Sequence, residues 1–322
     1  MGSTKQERLL ELFFRGLQGE NLSVHRLADE YGVSTKSVSR DISDLKAFLA
    51  DHRDLAGSTE LIYSNPNRCY QLRMDSFLTS KELLALIKVI IGSRAFSKVE
   101  LLNLTDKLRQ LTTPEDRDKL AELIRRELYH YTEVKHDCSS VQVMLWMVAN
   151  CITERHEITI EYTRTDREIV SHRLRPASVM FADCYFYLIA FPVEGNLEKP
   201  LYFRVDRIKR IITHRQRFPA DKGQFDEGLL RQRSLFMWPG KLQTIRFEFT
   251  GPSVQAVLDK LPTARILERS NGKYTVEAEV YGDGIKMWLL SQGRWVKVIA
   301  PEEFVETMRA EVESLFHYYN GG

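Results

Sequence analysis

LSVHRLADEYGVSTKSVSRDISDLKAFL, residues 22–49, is the stretch that decides the fold of the amino-terminal region. Apolar residues recur in its first half at helical spacing, at Val24, Leu27, Ala28 and Tyr31. They recur in its second half in the same way, at Val38, Ile42, Leu45 and Leu49. Between the halves, Gly32 permits the positive backbone angle of a tight turn, and Ser34 is a good N-cap for the next helix. The stretch therefore predicts two amphipathic helices joined by a tight turn.

The first turns of the second helix direct small hydroxyl and basic side chains toward solvent. These side chains are Ser34, Thr35, Lys36, Ser37, Ser39 and Arg40. A helix-turn-helix protein contacts base edges and phosphates from these positions, although the same pattern also suits a plain three-helix core. Residues 1–75 hold 10 Lys and Arg against 11 Asp and Glu, a net charge of −1. Because affinity for DNA rests largely on phosphate neutralisation, we expect one copy to bind weakly and to need dimerisation.

The whole chain of 322 residues is nearly balanced in charge, with 46 Lys and Arg against 44 Asp and Glu. This balance neither requires nor excludes nucleic acid, and a hydrophobic content of 43% indicates a folded protein of two or three domains. The longest apolar runs are far shorter than the roughly 20 residues that cross a bilayer, so we expect no membrane partner. The four cysteines are scattered without a CxxC pair. We therefore expect a reduced cytoplasmic protein with no metal site and no cofactor.

Changes in periodicity divide the chain into four regions. Residues 1–75 combine short helices with a hairpin at LIYSNPNRCYQL, and residues 76–150 are almost wholly helical. One of the helical segments, VQVMLWMVANCITE, is apolar nearly all round, which predicts a buried or intersubunit position. Residues 151–220 alternate with the period of a compact antiparallel sheet or small barrel, and residues 221–322 follow the order of a ferredoxin-like α+β sandwich. The predicted fold class is therefore a multidomain α+β protein.

The sheet region is the most basic part of the chain. Residues 158–219 hold 11 Lys and Arg against 7 Asp and Glu, and residues 204–217 hold six cations against Asp206 alone. Strand alternation places several pairs of side chains on a common face: Arg173 with Arg175, Tyr185 with Tyr187, and Tyr202 with Arg204. Arginine beside aromatic rings suits phosphates, carboxylates or stacked bases. A solvated strand face on which arginines cover apolar surface is the plainer alternative.

LADEYGVSTKSVSRDISDL resembles the winged helix-turn-helix of DeoR-like bacterial regulators. The positions that match the family pattern are Leu27, Ala28, Gly32, Val33, Ser34, Val38, Arg40, Asp41 and Leu45. The chain departs from the pattern at Ser37, where the family usually has Thr. The LIYSNPNRCYQL hairpin then falls where the wing of the family lies, which implies that Asn67 and Arg68 reach the DNA backbone or minor groove.

The sheet region resembles the WYL domain, a small Sm-like β-barrel of bacterial regulators. FRVDRI, residues 203–208, matches the family signature closely, and Phe186-Tyr187-Leu188 stands at the place of the Trp-Tyr-Leu triplet. The last region, ending in GRWVKVIAPEEFVETMRAEVESL, looks like the extension that follows WYL domains. The resemblance implies an effector pocket, formed by Tyr187, Arg204, Arg207, His172, Arg175, Tyr162 and Ser178. Phe186 keeps the apolar packing of the usual Trp but lacks its indole donor, and Asp206 is expected to pair with an arginine.

Together the resemblances imply a homodimeric transcriptional regulator, more consistent with a repressor, that reads a palindromic double-stranded operator. Its effector would be an anionic nucleotide or nucleic-acid fragment, and it would be nucleoid-associated when bound to DNA. The layout is similar to regulators found beside phage-defence operons such as BREX and CBASS. Two alternatives from other classes remain, a nucleotide-processing enzyme and a nucleic-acid-binding accessory or architectural protein. The enzyme is disfavoured because the chain has no GxxxxGK[ST], HExxH or GxSxG motif.

Overall fold

The fold is described from a computed structural model that covers residues 4–56, 59–73, 78–194, 200–219 and 226–321. The chain forms two compact units, divided between Val134 and Lys135. Two of the expected region borders, after residue 75 and after residue 220, lie outside the described residues. The third, after residue 150, falls within a helix, Val141–Glu154.

The first unit begins with the predicted helix-turn-helix. Its elements are α1 (Lys5–Leu17), α2 (Val24–Tyr31), α3 (Thr35–Asp51), the short α4 (Arg53–Ala56), and the antiparallel strands β1 (Glu60–Ser64) and β2 (Cys69–Arg73). Gly32 ends α2 in the left-handed conformation with φ of 63°. The Ser34 side chain accepts a hydrogen bond from the Ser37 backbone N–H and so caps α3. The winged helix-turn-helix prediction is confirmed.

Three more helices complete the first unit: α5 (Ser80–Ser93), α6 (Lys98–Arg109) and α7 (Pro114–Tyr129). Each begins at a capped residue, with Thr79, Ser97 and Thr113 as the side chains that accept the first backbone hydrogen bonds. Their apolar faces meet in a core of their own, which includes Ile87, Ile91, Leu101 and Ile124. The helical pattern of this region is therefore present as predicted.

The second unit starts with α8 (Val141–Glu154), which packs on a five-stranded antiparallel sheet. The strands are β3 (His156–Thr163), β4 (Ile169–Ala182), β5 (Tyr185–Pro192), β6 (Leu201–Arg204) and β7 (Ile208–Arg217). Their spatial order is β6-β5-β4-β3-β7, in keeping with the predicted Sm-like module. A 3-10 turn at Val205–Arg207 separates β6 from β7, so the chain passes there from one edge strand of the sheet to the other.

The last part of the second unit is a four-stranded antiparallel sheet with helices between its strands. Its elements are α9 (Glu227–Arg233), β8 (Leu242–Phe249), α10 (Val254–Lys260), β9 (Arg265–Ser270), β10 (Lys273–Tyr281), α11 (Ile285–Ser291), β11 (Val296–Ala300) and α12 (Glu302–Tyr319). The strand order is β11-β8-β10-β9, the arrangement of a ferredoxin-like fold, so that prediction is confirmed.

Helix α8 is apolar nearly all round but is buried along one side only. Val141, Val148 and Cys151 are buried against the sheet, whereas Trp146 is 70% exposed and Val143 is 60% exposed. The predicted burial is therefore present along one side of the helix, and the intersubunit position stays a prediction for its exposed side. Among the described residues, no helix combines the length and the apolar character needed to span a membrane.

Candidate nucleic-acid interface and ligand site

The first two turns of α3 present an exposed basic surface. Thr35, Lys36, Ser39 and Arg40 are exposed, while Ser37 is half-buried because its hydroxyl lies 2.9 Å from that of Ser34 in the cap. Lys36 and Arg40 are one turn apart on the same side of the helix, and neither has an ion pair within the part of the chain that the structure describes. Both cations are therefore available to phosphates or base edges.

Most carboxylates near this helix are already bound to other cations. Asp41, the next residue after Arg40, is buried and accepts a 2.8 Å hydrogen bond from Nε of Arg8 on α1. Lys5 lies 2.7 Å from Asp44, which would otherwise be the i+4 partner of Arg40. These pairs explain how a domain of nearly zero net charge can still leave a positive helix tip.

A second cluster on α1 and α2 takes up two more acids. Arg15 binds Glu20 at 2.7 Å and Glu30 at 2.6 Å, and Arg26 also contacts Glu20. The hydrogen bond from Arg15 is the main cause of the lowered pKa of Glu20, which keeps that carboxylate ionised. The acids of this cluster are therefore matched by neighbouring arginines.

The hairpin of β1 and β2 forms the wing. Asn67 and Arg68 are exposed at its tip, and Arg68 adopts the left-handed conformation with φ of 47°. The base of the hairpin is tied to the chain before α2 by paired backbone hydrogen bonds between Leu22 and Tyr70, at 2.8 and 2.9 Å. The wing is thus fixed to the same frame as the helix-turn-helix.

In the second unit, Arg204 on β6 lies opposite Tyr187 on β5, so their side chains leave the sheet on the same face. Asp206 binds one edge of the guanidinium: Nε donates to Oδ1 at 3.0 Å and Nη2 to Oδ2 at 2.7 Å. The Tyr185 ring covers the guanidinium, with its centroid 3.3 Å from Cζ. Burial alone would lower the pKa of Arg204, but the hydrogen bonds and charge of Asp206 outweigh burial and raise it. The expected pairing of Asp206 with an arginine is present.

A shallow groove adjoins Arg204, and its lining residues are Tyr162, Arg164, Thr165, Asp166 and Arg207. The Tyr162 hydroxyl accepts a 3.3 Å hydrogen bond from the backbone N–H of Arg204, which joins the groove to the β6 strand. Nη1 of Arg207 donates to the Thr165 hydroxyl at 3.2 Å. The lining has two arginines against one carboxylate and also a phenol, so its net positive charge suits an anionic ligand that carries a ring.

His172 and Tyr187 border this region in their uncharged forms. The His172 ring lies 5.0 Å from that of Phe203. Its pKa is lowered, first by burial and then by the charge of Arg164, so the imidazole is neutral near pH 7. Burial raises the pKa of Tyr187, so its hydroxyl stays protonated and can donate to an anion.

Two of the expected pocket residues do not join this group. Arg175 is three positions after His172 on β4, so its side chain leaves the strand on the opposite face. Its Nε binds the buried carboxylate of Glu157 at 3.2 Å. Arg173 binds the same carboxylate at 3.1 Å. Ser178 is only 6% exposed and follows a bulge in β4. The pocket brought together by the fold therefore lacks Arg175 and Ser178.

Three features of the site were not predicted from the sequence: the Tyr185 ring over Arg204, the Glu157 carboxylate under two arginines, and a contact between His136 and Asp206. Tyr185 could have been found from its i+2 spacing to Tyr187, whereas the other two depend on tertiary packing. Within the described part of the chain, no three His, Cys, Asp or Glu side chains cluster as metal ligands would.

Comparison with solved structures gives distant likenesses, and no curated protein matches the chain. The proteasome accessory factor B/C (PafBC) of Arthrobacter aurescens is 16% identical with a TM-score of 0.32, and the match covers 98% of this chain. This chain spans about half the length, 49%, of that PafBC chain. A CRISPR Cas-related protein is 15% identical with a TM-score of 0.41, and the match covers 89% of this chain and 74% of that one.

Three domain families match consecutive parts of the chain. The HTH domain matches residues 5–71, the WYL domain residues 144–212 and the WCX domain residues 241–316. The first match contains α3 and the wing, and the second contains Arg204, the 3-10 turn and the groove. This domain content is that of a regulatory DNA-binding protein rather than an enzyme. In this domain content the chain matches a WYL-domain transcriptional regulator, with an amino-terminal helix-turn-helix and a carboxy-terminal WCX domain.

Proposed function

We propose that the chain is a homodimeric repressor that reads a palindromic operator through α3 and is controlled by an anionic nucleotide or nucleic-acid fragment. The observation that carries the proposal is the exposed pair Lys36 and Arg40, left without ion-pair partners among the described residues while nearby acids are bound by other cations. An unpaired cation on a recognition helix gains the whole attraction of a phosphate, because no internal pair has to be broken first.

The DNA-contacting set is the cap and first turns of α3 together with the tip of the wing: Ser34, Thr35, Lys36, Ser37, Ser39, Arg40, Asn67 and Arg68. Arg40 and Lys36 supply the charge, and the hydroxyl side chains supply further hydrogen bonds to phosphates or bases. In a two-fold symmetric dimer the half-sites lie about 34 Å apart, one turn of B-DNA, or a multiple of that distance.

Dimerisation is supported by the small number of available cations and by α8. One domain that offers so few phosphate contacts binds weakly, and a second copy roughly doubles the number of contacts. The exposed Trp146, Val143 and Met147 form an apolar strip on α8 of the kind that self-association covers.

The effector site is assigned to Tyr187, Arg204, Arg207, His172 and Tyr162, around the groove of the WYL domain. Arg207 and Arg204 bind the anionic group, and the Tyr162 and Tyr187 rings offer surfaces for a base. The ligand regulates DNA binding only if it has different affinities for the DNA-bound and DNA-free arrangements. The controlled gene is the protein's own or a phage-defence operon, a proposal that rests on the similar layout of regulators from such operons.

The test is a salt-titrated gel shift with DNA from upstream of the protein's own gene. Arg40→Ala is compared with wild type and with Lys46→Ala, an exposed lysine farther along the same helix that serves as the matched control. We expect Arg40→Ala to lose about 1–3 kcal/mol of binding free energy, whereas Lys46→Ala keeps wild-type affinity. Equal losses in both variants would show non-specific attraction and contradict the assigned reading surface.

A further inference from the structure

A connector between α7 and α8, residues 130–140, has no regular secondary structure and contains the border between the two units. Its first part is fixed within the first unit: the Tyr131 hydroxyl donates to the Phe96 carbonyl at 2.6 Å, and a Glu133 carboxylate oxygen accepts from the Lys98 backbone N–H at 2.5 Å. Only Val134 and Lys135 then remain before the first contact within the second unit, which is made by His136.

The second part of the connector is fixed to the WYL sheet. His136 is 7% exposed, and its Nδ1 lies 3.4 Å from Oδ2 of Asp206. The Asp137 carbonyl accepts from Nζ of Lys209 at 2.9 Å, and its carboxylate accepts from Arg167 at 3.2 Å. Within the described residues, Nε2 of His136 is buried without a hydrogen-bond partner. The Asp206 contact therefore gives the buried imidazole its hydrogen bond.

Asp206 is shared between the connector and the effector site. Its side chain is 3% exposed, and its Oδ2 accepts hydrogen bonds from both Nη2 of Arg204 and Nδ1 of His136. A buried carboxylate needs its cationic and hydrogen-bonding partners, because the interior does not solvate its charge. The position of the Asp206 carboxylate consequently depends on Arg204. That position in turn determines whether His136 keeps its hydrogen bond.

While it is bound to Asp206, Arg204 cannot offer a phosphate the guanidinium edge formed by Nε and Nη2. A bidentate anion uses two parallel N–H groups of one guanidinium edge, and Asp206 already occupies the edge formed by Nε and Nη2. The Tyr185 ring covers a face of the group as well. A bound anion would also repel the Asp206 carboxylate strongly in this poorly solvated position.

We propose that Asp206 connects the effector site to the connector: an anion bound to Arg204 displaces Asp206, and His136 then loses its anchor. The inference rests on the proposed function for its ligand. Once His136 is released, the first contact that holds the connector to the sheet moves to Asp137, which Lys209 and Arg167 bind independently of Asp206. Ligand binding then changes the mobility of the segment that covalently joins the first unit to the WYL sheet, and such a difference between states is what a ligand needs to act on DNA binding.

Cys138 gives a native reporter, since it lies two residues after His136 and is half-buried. Its rate of alkylation by iodoacetamide, followed by peptide mass spectrometry on the full chain, measures local release of the connector. Cys151 and Cys69 are buried, one in each unit, and their rates report global unfolding in the same samples. The variants are Arg204→Gln, His136→Leu and His136→Asn, with Arg210→Gln as an exposed control on β7.

We expect Arg204→Gln and His136→Leu to raise the alkylation rate of Cys138 about tenfold, within the usual range of coupling between sites, while Cys151 and Cys69 stay unchanged. His136→Asn keeps a donor at the place of Nδ1, so its rate stays near that of wild type and of Arg210→Gln. An unchanged Cys138 rate in Arg204→Gln overturns the proposal. So does a rise that Cys151 shares, because the pair would then hold the whole sheet and not the connector.

The ligand arm is separate, so that the two proposals can fail independently. A 5′-phosphorylated thymidine trinucleotide is titrated calorimetrically and then added to the wild-type alkylation assay. Absence of binding contradicts the proposed effector class and leaves the Arg204→Gln result to decide on the connector. Binding that leaves the Cys138 rate unchanged contradicts the connector proposal alone.

Discussion

Arg40 and Arg204 are the same residue type in two opposite situations. Arg40 stands on the exposed side of α3 with no ion pair among the described residues, because Asp41 beside it binds Arg8 and Asp44 binds Lys5. Arg204 is 16% exposed, bound on one edge by Asp206 and covered by a tyrosine ring. Within the described part of the chain, Arg40 has no ion pair to break before it binds a ligand, whereas Arg204 already donates two of its five N–H groups to Asp206.

The difference matches two tasks. A DNA-reading arginine gains most when it enters the complex unpaired, since no internal contact is lost on binding. A ligand-sensing arginine must instead be paired before the ligand binds, because a ligand changes the protein only when it alters contacts that exist without it. In the proposed function, the internal pair lowers the affinity for the ligand, and that loss of affinity is the coupling between the ligand and the rest of the molecule.

The largest expected effect comes from a third arginine, the buried Arg8. Asp41→Asn removes the carboxylate that accepts from Nε of Arg8, and removing one partner of a buried ion pair costs about 3–5 kcal/mol. We expect the first unit to lose about that much free energy of unfolding in urea titrations, and operator binding to fall with it. Asp44→Asn, which removes an exposed pair, is the control and should cost less than about 1 kcal/mol. Equal losses would show that the Arg8 pair does not hold α3.

Asp206→Asn would make Arg204 resemble Arg40. The change removes the competing charge while keeping the shape of the side chain, so we expect the phosphorylated trinucleotide to bind about tenfold more tightly, a typical coupling. Calorimetry measures this affinity directly. The control is Glu161→Gln on β3, whose side chain leaves the strand on the face opposite to Tyr162. This variant should not change the affinity for the trinucleotide. Weaker binding by Asp206→Asn would mean that Asp206 supports the ligand and does not compete with it.

A smaller effect is expected from Arg68 at the wing tip. If Arg68 contacts a phosphate, Arg68→Ala should lower the salt dependence of log K by about 1 and weaken binding uniformly across operator sequences. Gel shifts at several salt concentrations measure the slope. A change in sequence preference without a change in slope would assign Arg68 to base recognition instead.

The smallest effect concerns His172. Its folded-state pKa is lowered from 6.5 by burial and by Arg164, so the unfolded chain binds the proton more readily. The resulting stability is fully present above about pH 6.5 and is lost as the pH falls below that value. Thermal unfolding from pH 7.5 to 5.5 should show a small decline in Tm that His172→Phe reduces. An identical decline in both proteins would remove His172 as its source.

The sequence predicted the fold well where local signals decide it. Gly32 and the Ser34 cap set the helix-turn-helix, and the alternation of β8 to β11 around two helices set the ferredoxin-like order. It predicted the site less well, because Asp206 and His136 are 70 residues apart in sequence and meet only through packing. The separation of His172 from Arg175 could have been predicted from the sequence, since residues three positions apart on a strand face opposite ways.

The most direct test of the contrast between the two arginine sites is a crossed comparison of Arg40→Ala and Tyr187→Ala in folded, full-length protein. Operator affinity is measured by gel shift, and affinity for the phosphorylated trinucleotide by calorimetry. We predict that Arg40→Ala loses about tenfold or more in operator affinity and keeps its trinucleotide affinity, while Tyr187→Ala does the reverse. Loss of operator binding in Tyr187→Ala equal to that in Arg40→Ala would contradict the division between a DNA-reading helix and a sensing sheet.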